Sequence, residues 1–374
     1  MKVEFYRHSL EESDIARAAE VLRSVFLTTG PATAEFETAF SAYTGLSHTV
    51  AVSSCTAALQ AVLLALGVGP GDEVIVPAMT FLATATAVLH TGATPVLVDV
   101  EPETGLIDPA RAEAAVTTRT KALLPVHLYG VMADMRALRH IADKHGLCIV
   151  EDCAHCIEGE RDGVRPGQLA DAACYSFYAT KNLTCGEGGA VATNDAALAA
   201  RVLRLRQHGM SKDAATRYTG RYEHWDMLEL GLKCNLDSIH SALLSGQIAR
   251  LDELWEKRDR LYRRYLSGLA GLNGLAWPEI RGKSAYHLFT VWVDPERRDE
   301  ILKGLQDRGV GVAVNYRAMH TLSFFRERFG FAPADFPHAD RIGRRTLSLP
   351  FYPKLREDEA DAVILALRSA LAAR

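Results

Sequence analysis

Between residues 13 and 45 the apolar positions recur at helical spacing, and from residue 49 they come instead as short unbroken bursts. "SDIARAAEVLRSVF" (13–26), with Ser13 as its N-cap, and "ATAEFETAFSAYTG" (32–45), closed by a glycine, read as helices. The bursts "TVAVS" (49–53), "DEVIVP" (72–77), "TPVLVDV" (94–100), "TKALLPVHL" (120–128), "LCIVEDC" (147–153), "ACYSFY" (173–178) and "GGAVATN" (188–194) read as strands. Helical stretches alternate with the first of them: "SCTAALQAVLLALGV" (54–68), "FLATATAVLHTG" (81–92) and "ADMRALRHIADKHG" (133–146). Strands that are apolar at consecutive positions are buried on both faces, so the pattern predicts an α/β fold with a large, mainly parallel sheet between helices.

The rhythm changes again near residue 246. "GQIARLDELWEKRDRLYRRYLSGLAGL" (246–272) reads as one long, charged, amphipathic helix. After it come "AYHLFTVWVD" (285–294), the helix "RRDEILKGLQDRG" (297–309), "VGVAVNYR" (310–317) and a last helix, "EDEADAVILALRSALAA" (357–373). Residues 246–374 are therefore expected to form a smaller α+β domain beside a large domain of residues 1–245.

Composition narrows the function classes. With 48% hydrophobic and 24% charged residues, the 374-residue chain matches an ordinary globular protein. Its net charge of −4 argues against a nucleic-acid partner. No uninterrupted apolar run reaches the roughly 18 residues of a membrane helix, and "MKVEFYRHSLEESD" is not a signal peptide, so a cytoplasmic protein with no membrane partner is expected. Seven cysteines in a chain this long do not make a disulfide scaffold.

In open α/β sheets, ligands bind beyond the carboxyl ends of the parallel strands, so the residues at those ends carry the candidate chemistry. After "TVAVS", Ser54, Cys55 and Thr56 open a helix. Free N–H groups there make an anion cradle, and simple N-capping is the alternative. No G-x-G-x-x-G or Walker A loop is present, which disfavours an NAD enzyme or a nucleotide triphosphatase. Asp152 ends the very apolar "LCIVE" run, where a carboxylate needs a cation such as a protonated ring nitrogen, or else caps a helix. Cys153 and Cys156 bracket His155, but no second C-x-x-C exists to complete a zinc site, so no metal is expected. Lys181 follows "CYSFY" with no acidic residue within three positions. Such a lysine is either an ordinary loop residue or a desolvated amine available as a nucleophile. An anion cradle, a carboxylate for a ring nitrogen and a reactive lysine together are what pyridoxal 5′-phosphate requires.

The same residues fall in motifs that resemble the DegT/DnrJ/EryC1/StrS family of sugar aminotransferases: "LTTGP", "VSSCTAALQ", "GDEVIVPAMTFLATA", "PVHLYG", "IVEDCAH", "YSFYATKNLTCGEGGAVATND" and "NLDSIHSALLSGQI". The resemblance spans nearly the whole chain and implies the aspartate-aminotransferase-like fold (fold type I of the pyridoxal-phosphate enzymes). It implies Lys181 as the Schiff-base lysine and Asp152 as the partner of the pyridine nitrogen. It places His155 near the ring hydroxyl, Phe81 on the ring face, and Cys55, Thr56 and Ser176 on the phosphate. Asn235 is implied to reach the phosphate of the other subunit's cofactor, in a homodimer with shared sites. Two positions depart from the common pattern: Cys55 stands where glycine is commoner, and Cys156 where a small residue is usual.

Within the family, "KNLTCGEGG", "HGMSKDA", "NYRAMHTLSFFRERFG" and "LSLPFYP" resemble enzymes that aminate C4 of a nucleotide-linked 4-ketosugar, such as the one that makes 4-amino-4-deoxy-L-arabinose on UDP. This implies L-glutamate as donor, leaving as 2-oxoglutarate. Tyr316, Arg317 and His320 are implied to approach the sugar nucleotide. A C3-aminating relative and a non-catalytic regulatory protein that binds the cofactor are the alternatives. A sugar dehydratase of the same fold is disfavoured, because by resemblance it carries histidine where this chain has Lys181.

Overall fold

A computed structural model of the protein describes residues 1–212 and 224–372. Its centre is a seven-stranded sheet in the order β1-β7-β6-β5-β4-β2-β3. These strands are β1 (His48–Val52), β2 (Glu73–Pro77), β3 (Thr94–Val98), β4 (Thr120–Leu123), β5 (Cys148–Asp152), β6 (Ala172–Ser176) and β7 (Gly189–Thr193). Six run parallel and β7 runs against them, between β1 and β6. The mainly parallel α/β sheet expected from the sequence is present.

Both faces are covered, which explains the unbroken apolar bursts. Val50 and Val52, Val74 and Val76, and Ala172 and Cys174 point to one face. There they pack with helices α3 (Cys55–Ala65), α4 (Ala83–His90) and α7 (Ala196–Leu205). Their neighbours Ala51, Ala173 and Tyr175 point to the other, toward α2 (Pro31–Thr44) and α8 (Ser238–Ile248). Ile75 and Ile149 share that second face with α6 (Met135–His145). Two further helices complete this part: α1 (Glu12–Leu22) and α5 (Pro109–Ala114).

Several boundaries differ from expectation for local reasons. Helix α1 begins two residues early, because the Asp14 carboxylate accepts the N–H of Glu11 at 2.9 Å, so Glu11 rather than Ser13 is the N-cap. The stretch 246–272 is not one helix. Helix α8 ends at Ile248, and α9 (Leu251–Leu269) starts afresh after Arg250, whose guanidinium meets the buried Asp14 carboxylate at 2.6 Å. Helix α4 starts at Ala83, which leaves Phe81 and Leu82 in the preceding turn.

A second core gathers α9, the hairpin-like pair β8 (Phe289–Trp292) and β9 (Thr346–Leu349), α10 (Arg298–Asp307) and α13 (Glu357–Ala372). Val3 belongs to this core and pairs with Val310. Two more helices, α11 (Ser323–Phe329) and α12 (Pro337–Arg345), pack through Phe325 and Ile342 against the first core. The segment between α10 and α11 thus lies over the carboxyl edge of the large sheet.

Candidate active site

Strands β1, β5 and β6 are mutually parallel, so the residues that follow them emerge along one edge. A cavity of about 450 Å³ opens there, and Ser54, Cys55, Thr56, Asp152, Ser176 and Lys181 all line it. Its volume falls in the range of small-molecule sites.

The start of α3 forms one wall. Ser54 is its N-cap, with Oγ accepting the N–H of Ala57 at 3.1 Å. The N–H groups of Cys55 and Thr56, in the first turn, have no carbonyl partner within the helix and form the positive end of its dipole. Capping and an anion cradle therefore coexist. The Cys55 thiol itself turns inward, donating to the Cys174 carbonyl at 3.3 Å and lying 3.8 Å from Asp152 Oδ1. Burial pushes this thiol well above its usual pKa. Ser176 adds a hydroxyl at the end of β6.

Asp152 ends β5 and caps no helix. Its Oδ1 accepts the Ala154 N–H at 3.1 Å and its Oδ2 accepts the Thr84 hydroxyl at 2.9 Å. Burial nevertheless raises its pKa, with Ala154, Thr84 and Lys181 opposing the rise. A carboxylate held this way gains from a cationic group placed against it.

Lys181 follows a turn closed by its own N–H on the Tyr178 carbonyl at 2.9 Å. The turn rests on an aromatic floor: Phe40 packs edge-on to Tyr175 at 5.0 Å and Phe36 edge-on to Phe177 at 5.4 Å. Burial lowers the lysine pKa to about 8, against the pull of Asp152 and Cys55. A free amine is thus accessible near neutral pH.

His155 reaches the cavity from the turn after β5. Its Nδ1 accepts the Tyr129 N–H at 3.2 Å, and its Nε2 meets the Tyr316 hydroxyl at 3.0 Å. Burial, reinforced by Lys181, keeps the ring neutral. The flanking thiols serve elsewhere: Cys156 donates to the Gly130 carbonyl at 3.6 Å, and Cys153 lies 3.6 Å from Glu151 Oε2. Cys153, Glu151 and His127 form a buried cluster of potential metal ligands. Within it His127 Nδ1 accepts the Ala133 N–H at 3.2 Å. Nε2 consequently carries the proton and donates it to Glu151 at 2.8 Å.

Phe81 stands half-exposed at the mouth, 5.3 Å from the ring of Tyr316, which also lines the cavity. The structure does not bring Arg317 or His320 into it. Arg317 faces a separate crevice with Arg298 and Arg344. His320 is 1% exposed, with its ring 5.0 Å from Phe336. Asn235 lies outside its own chain's cavity. Its Nδ2 donates to Thr28 Oγ1 at 2.9 Å, and Asp237 rather than Asn235 caps α8.

Sequence reading missed Thr84, His287 and Asn315. The His287 ring packs at a tilt against His155, 4.4 Å away, and bonds Asn182, which in turn donates to the buried Glu158 beside Arg258. Thr84 lay one helical turn after Phe81, a spacing that could have drawn attention to it. No local signal marks His287 or Asn315.

A family model described as the DegT/DnrJ/EryC1/StrS aminotransferase family matches residues 8–368. The spore coat polysaccharide biosynthesis protein SpsC of Bacillus subtilis (strain 168) is 41% identical over 365 residues, covering 96% of this chain and 94% of SpsC. Among solved structures, S. venezuelae DesV in complex with a ketimine intermediate is 40% identical, with a TM-score of 0.91 over 100% of this chain and 99% of that one. Spr1654 from Streptococcus pneumoniae, in a PMP-form, superposes with a TM-score of 0.93 at 31% identity over 99% of both chains. The strand-end cavity, the buried lysine and carboxylate that line it and these matches along nearly the full length agree, and the chain belongs to the DegT/DnrJ/EryC1/StrS aminotransferase family.

Proposed function

We propose that this enzyme moves the amino group of L-glutamate to the keto carbon, C4, of a nucleotide-linked ketosugar. The class is that of its family: a sugar aminotransferase whose cofactor is pyridoxal phosphate. The observation that carries the reading is Lys181, with its depressed pKa, sharing one cavity with the buried Asp152 and the open first turn of α3. The likeness of "KNLTCGEGG" and "NYRAMHTLSFFRERFG" to C4-aminating relatives supports the position. SpsC's place in polysaccharide biosynthesis supports a sugar acceptor.

The residues fit the cofactor. The Cys55 and Thr56 N–H groups and the Ser176 hydroxyl would hold its phosphate, and Asp152 would face its ring nitrogen. Phe81 would cover one ring face, with His155 near the ring hydroxyl. When bound, pyridoxal phosphate supplies an electrophilic aldehyde and a ring that accepts the electron pair freed at a substrate carbon. Lys181 Nζ would attach the resting cofactor. As a free amine it would take the proton from the α-carbon of glutamate and deliver a proton to C4 of the sugar.

A homodimer with shared sites is part of the proposal. Leu22, Val25 and Leu27 expose large apolar surfaces near Thr28, the partner of Asn235, and Trp225, Met227, Leu228 and Leu230 expose more. Apolar surface of this extent marks an interaction face. Asn235 lies near this surface through Thr28, and in the proposed dimer it would serve the cofactor phosphate of a second copy.

Purified enzyme with glutamate should be offered a panel of UDP-, dTDP- and GDP-linked 4- and 3-ketosugars, and the product's amino position read by NMR. Amination at C4 is expected. Amination at C3 alone, or of no ketosugar, would sink the reading.

A further inference from the structure

Burial makes the Asp152 carboxylate more basic. A carboxylate that is too basic takes the proton of a ring nitrogen set against it instead of leaving that proton on the ring. The donors around Asp152 therefore decide how it acts. Its Oδ2 lies 2.9 Å from the hydroxyl of the fully buried Thr84. That hydroxyl is also 3.2 Å from the Phe81 carbonyl and 3.1 Å from the hydroxyl of Thr80, itself buried. A threonine hydroxyl has one hydrogen to give. The Phe81 carbonyl already accepts the Thr84 backbone N–H at 3.3 Å, and an anionic oxygen is the nearest and strongest acceptor, so the hydrogen goes to Asp152. Thr84 Oγ1 then offers Thr80 lone pairs only, and the Thr80 hydroxyl must donate. The two hydroxyls run head to tail into the carboxylate, and each bond in such a chain polarises the next.

We propose that Thr80 and Thr84 are positioning residues for transamination: they form a hydrogen-bond relay that keeps Asp152 an anion and leaves the shared proton on the ring nitrogen of the cofactor. Thr84 acts on the ring only through Asp152, and Thr80 only through Thr84. The proposal rests on Asp152 facing that nitrogen. The other close donor, the Ala154 N–H at 3.1 Å, is backbone, so the close side-chain donors reduce to the hydroxyl pair. The titratable groups whose charges also act on Asp152 are Lys181, His127, Cys55, Cys153, Cys174 and Tyr316. None of them hydrogen-bonds Thr80 or Thr84, so removing a hydroxyl leaves them in place.

Three variants test it. Thr84→Val keeps the shape and removes the hydroxyl, Thr84→Ser keeps the hydroxyl, and Thr80→Val removes only the first donor. In the apo-protein, the protonation of Asp152 is read from its carboxyl band by infrared difference spectroscopy, with Asp152→Asn to assign the band. The midpoint should rise at least about one pH unit in Thr84→Val, the scale of one hydrogen bond to a charged group. It should rise less in Thr80→Val and stay at the wild-type value in Thr84→Ser. In holoenzyme loaded with ring-¹⁵N pyridoxal phosphate, the ¹⁵N NMR signal should move in the same order toward that of an unprotonated pyridine. Both half-reactions should slow together, about 10-fold in Thr84→Val. An unchanged midpoint and an unchanged ¹⁵N signal in Thr84→Val overturn the proposal whatever the rate does. Thr84→Ser as impaired as Thr84→Val overturns it too, since the methyl group would then be what matters. Should Thr84→Val not fold, Thr80→Val carries the test, and a wild-type midpoint there breaks the relay. Asp152→Asn separates the two levels. If it leaves the ring ¹⁵N signal unmoved, Asp152 does not face the nitrogen and the underlying reading fails. If it moves the signal and Thr84→Val does not, the relay alone fails.

Discussion

Lys181 and Asp152 carry opposite electrostatic burdens in one enclosure. Burial disfavours the charged form of each, lowering the lysine pKa to about 8 and raising that of the aspartate. Below pH 8 the ammonium predominates, and above it the free amine. Labelling of Lys181 in the apo-protein by an amine-reactive reagent should therefore rise with a midpoint near pH 8, and a midpoint near the ordinary lysine value of 10.5 would refute the desolvation argument. Lys181→Ala should fold and lose transamination, and borohydride reduction of the loaded wild type should leave the cofactor on this residue and no other. Asp152→Asn removes the charge expected to hold the ring nitrogen protonated, while its amide oxygen can still accept the Ala154 N–H and its amide nitrogen can donate to the Thr84 hydroxyl oxygen. It should retain the fold but lose roughly two or more orders of magnitude in rate, the scale of a lost electrostatic element. Near-normal turnover would disprove that role.

Elements set the residues in place through close backbone approach. Strand β7 passes so near the start of α3 that a Cβ on Gly189 would lie 2.4 Å from the Ser54 carbonyl carbon and 2.6 Å from the Cys55 nitrogen. Neither is a side chain that could swing away. Gly189→Ala should cost about 1–3 kcal/mol in urea unfolding, as overpacking does, and should weaken cofactor binding about 10-fold by moving the Cys55 and Thr56 N–H groups. Ser54→Ala, which removes the helix cap while leaving those groups where they are, should cost about 1 kcal/mol. An unchanged cofactor affinity in Gly189→Ala would show that the first turn of α3 does not hold the phosphate.

At the scale of the whole molecule the question is whether each site is completed by a second copy. Asn235 lies outside its own cavity, next to exposed Leu27 and Val25. Two inactive variants, Lys181→Ala and Asn235→Asp, separate the possibilities. In a shared-site dimer, the mixed species holds one site with both lesions and one with neither, so co-expression should restore about half of wild-type activity per mixed dimer. If Asn235 acts within its own chain, both sites of the mixed dimer are damaged and no activity returns. A fully active monomer would be equally fatal to the idea.

Much of this architecture is written in nearest-neighbour chemistry. Unbroken apolar runs, buried on both faces, made the strands visible, a glycine marked the end of the helix at Gly45, and strand-end logic located Asp152 and Lys181. The family, the fold and the cofactor were legible because their motifs lie in contiguous stretches. What escaped reading depends on contacts between residues far apart in the chain. The reversed direction of β7, the break before α9 made by Arg250 on Asp14, and the exclusion of His320 from the cavity are of this kind. So are Thr84 beneath Asp152 and the delivery of His287, Asn315 and Tyr316 to a site built from the other half of the chain. Even the tautomer of His155 hangs on a peptide N–H 26 residues away, because hydrogen-bond direction is settled by which partners folding brings within reach, not by the residues adjacent in sequence.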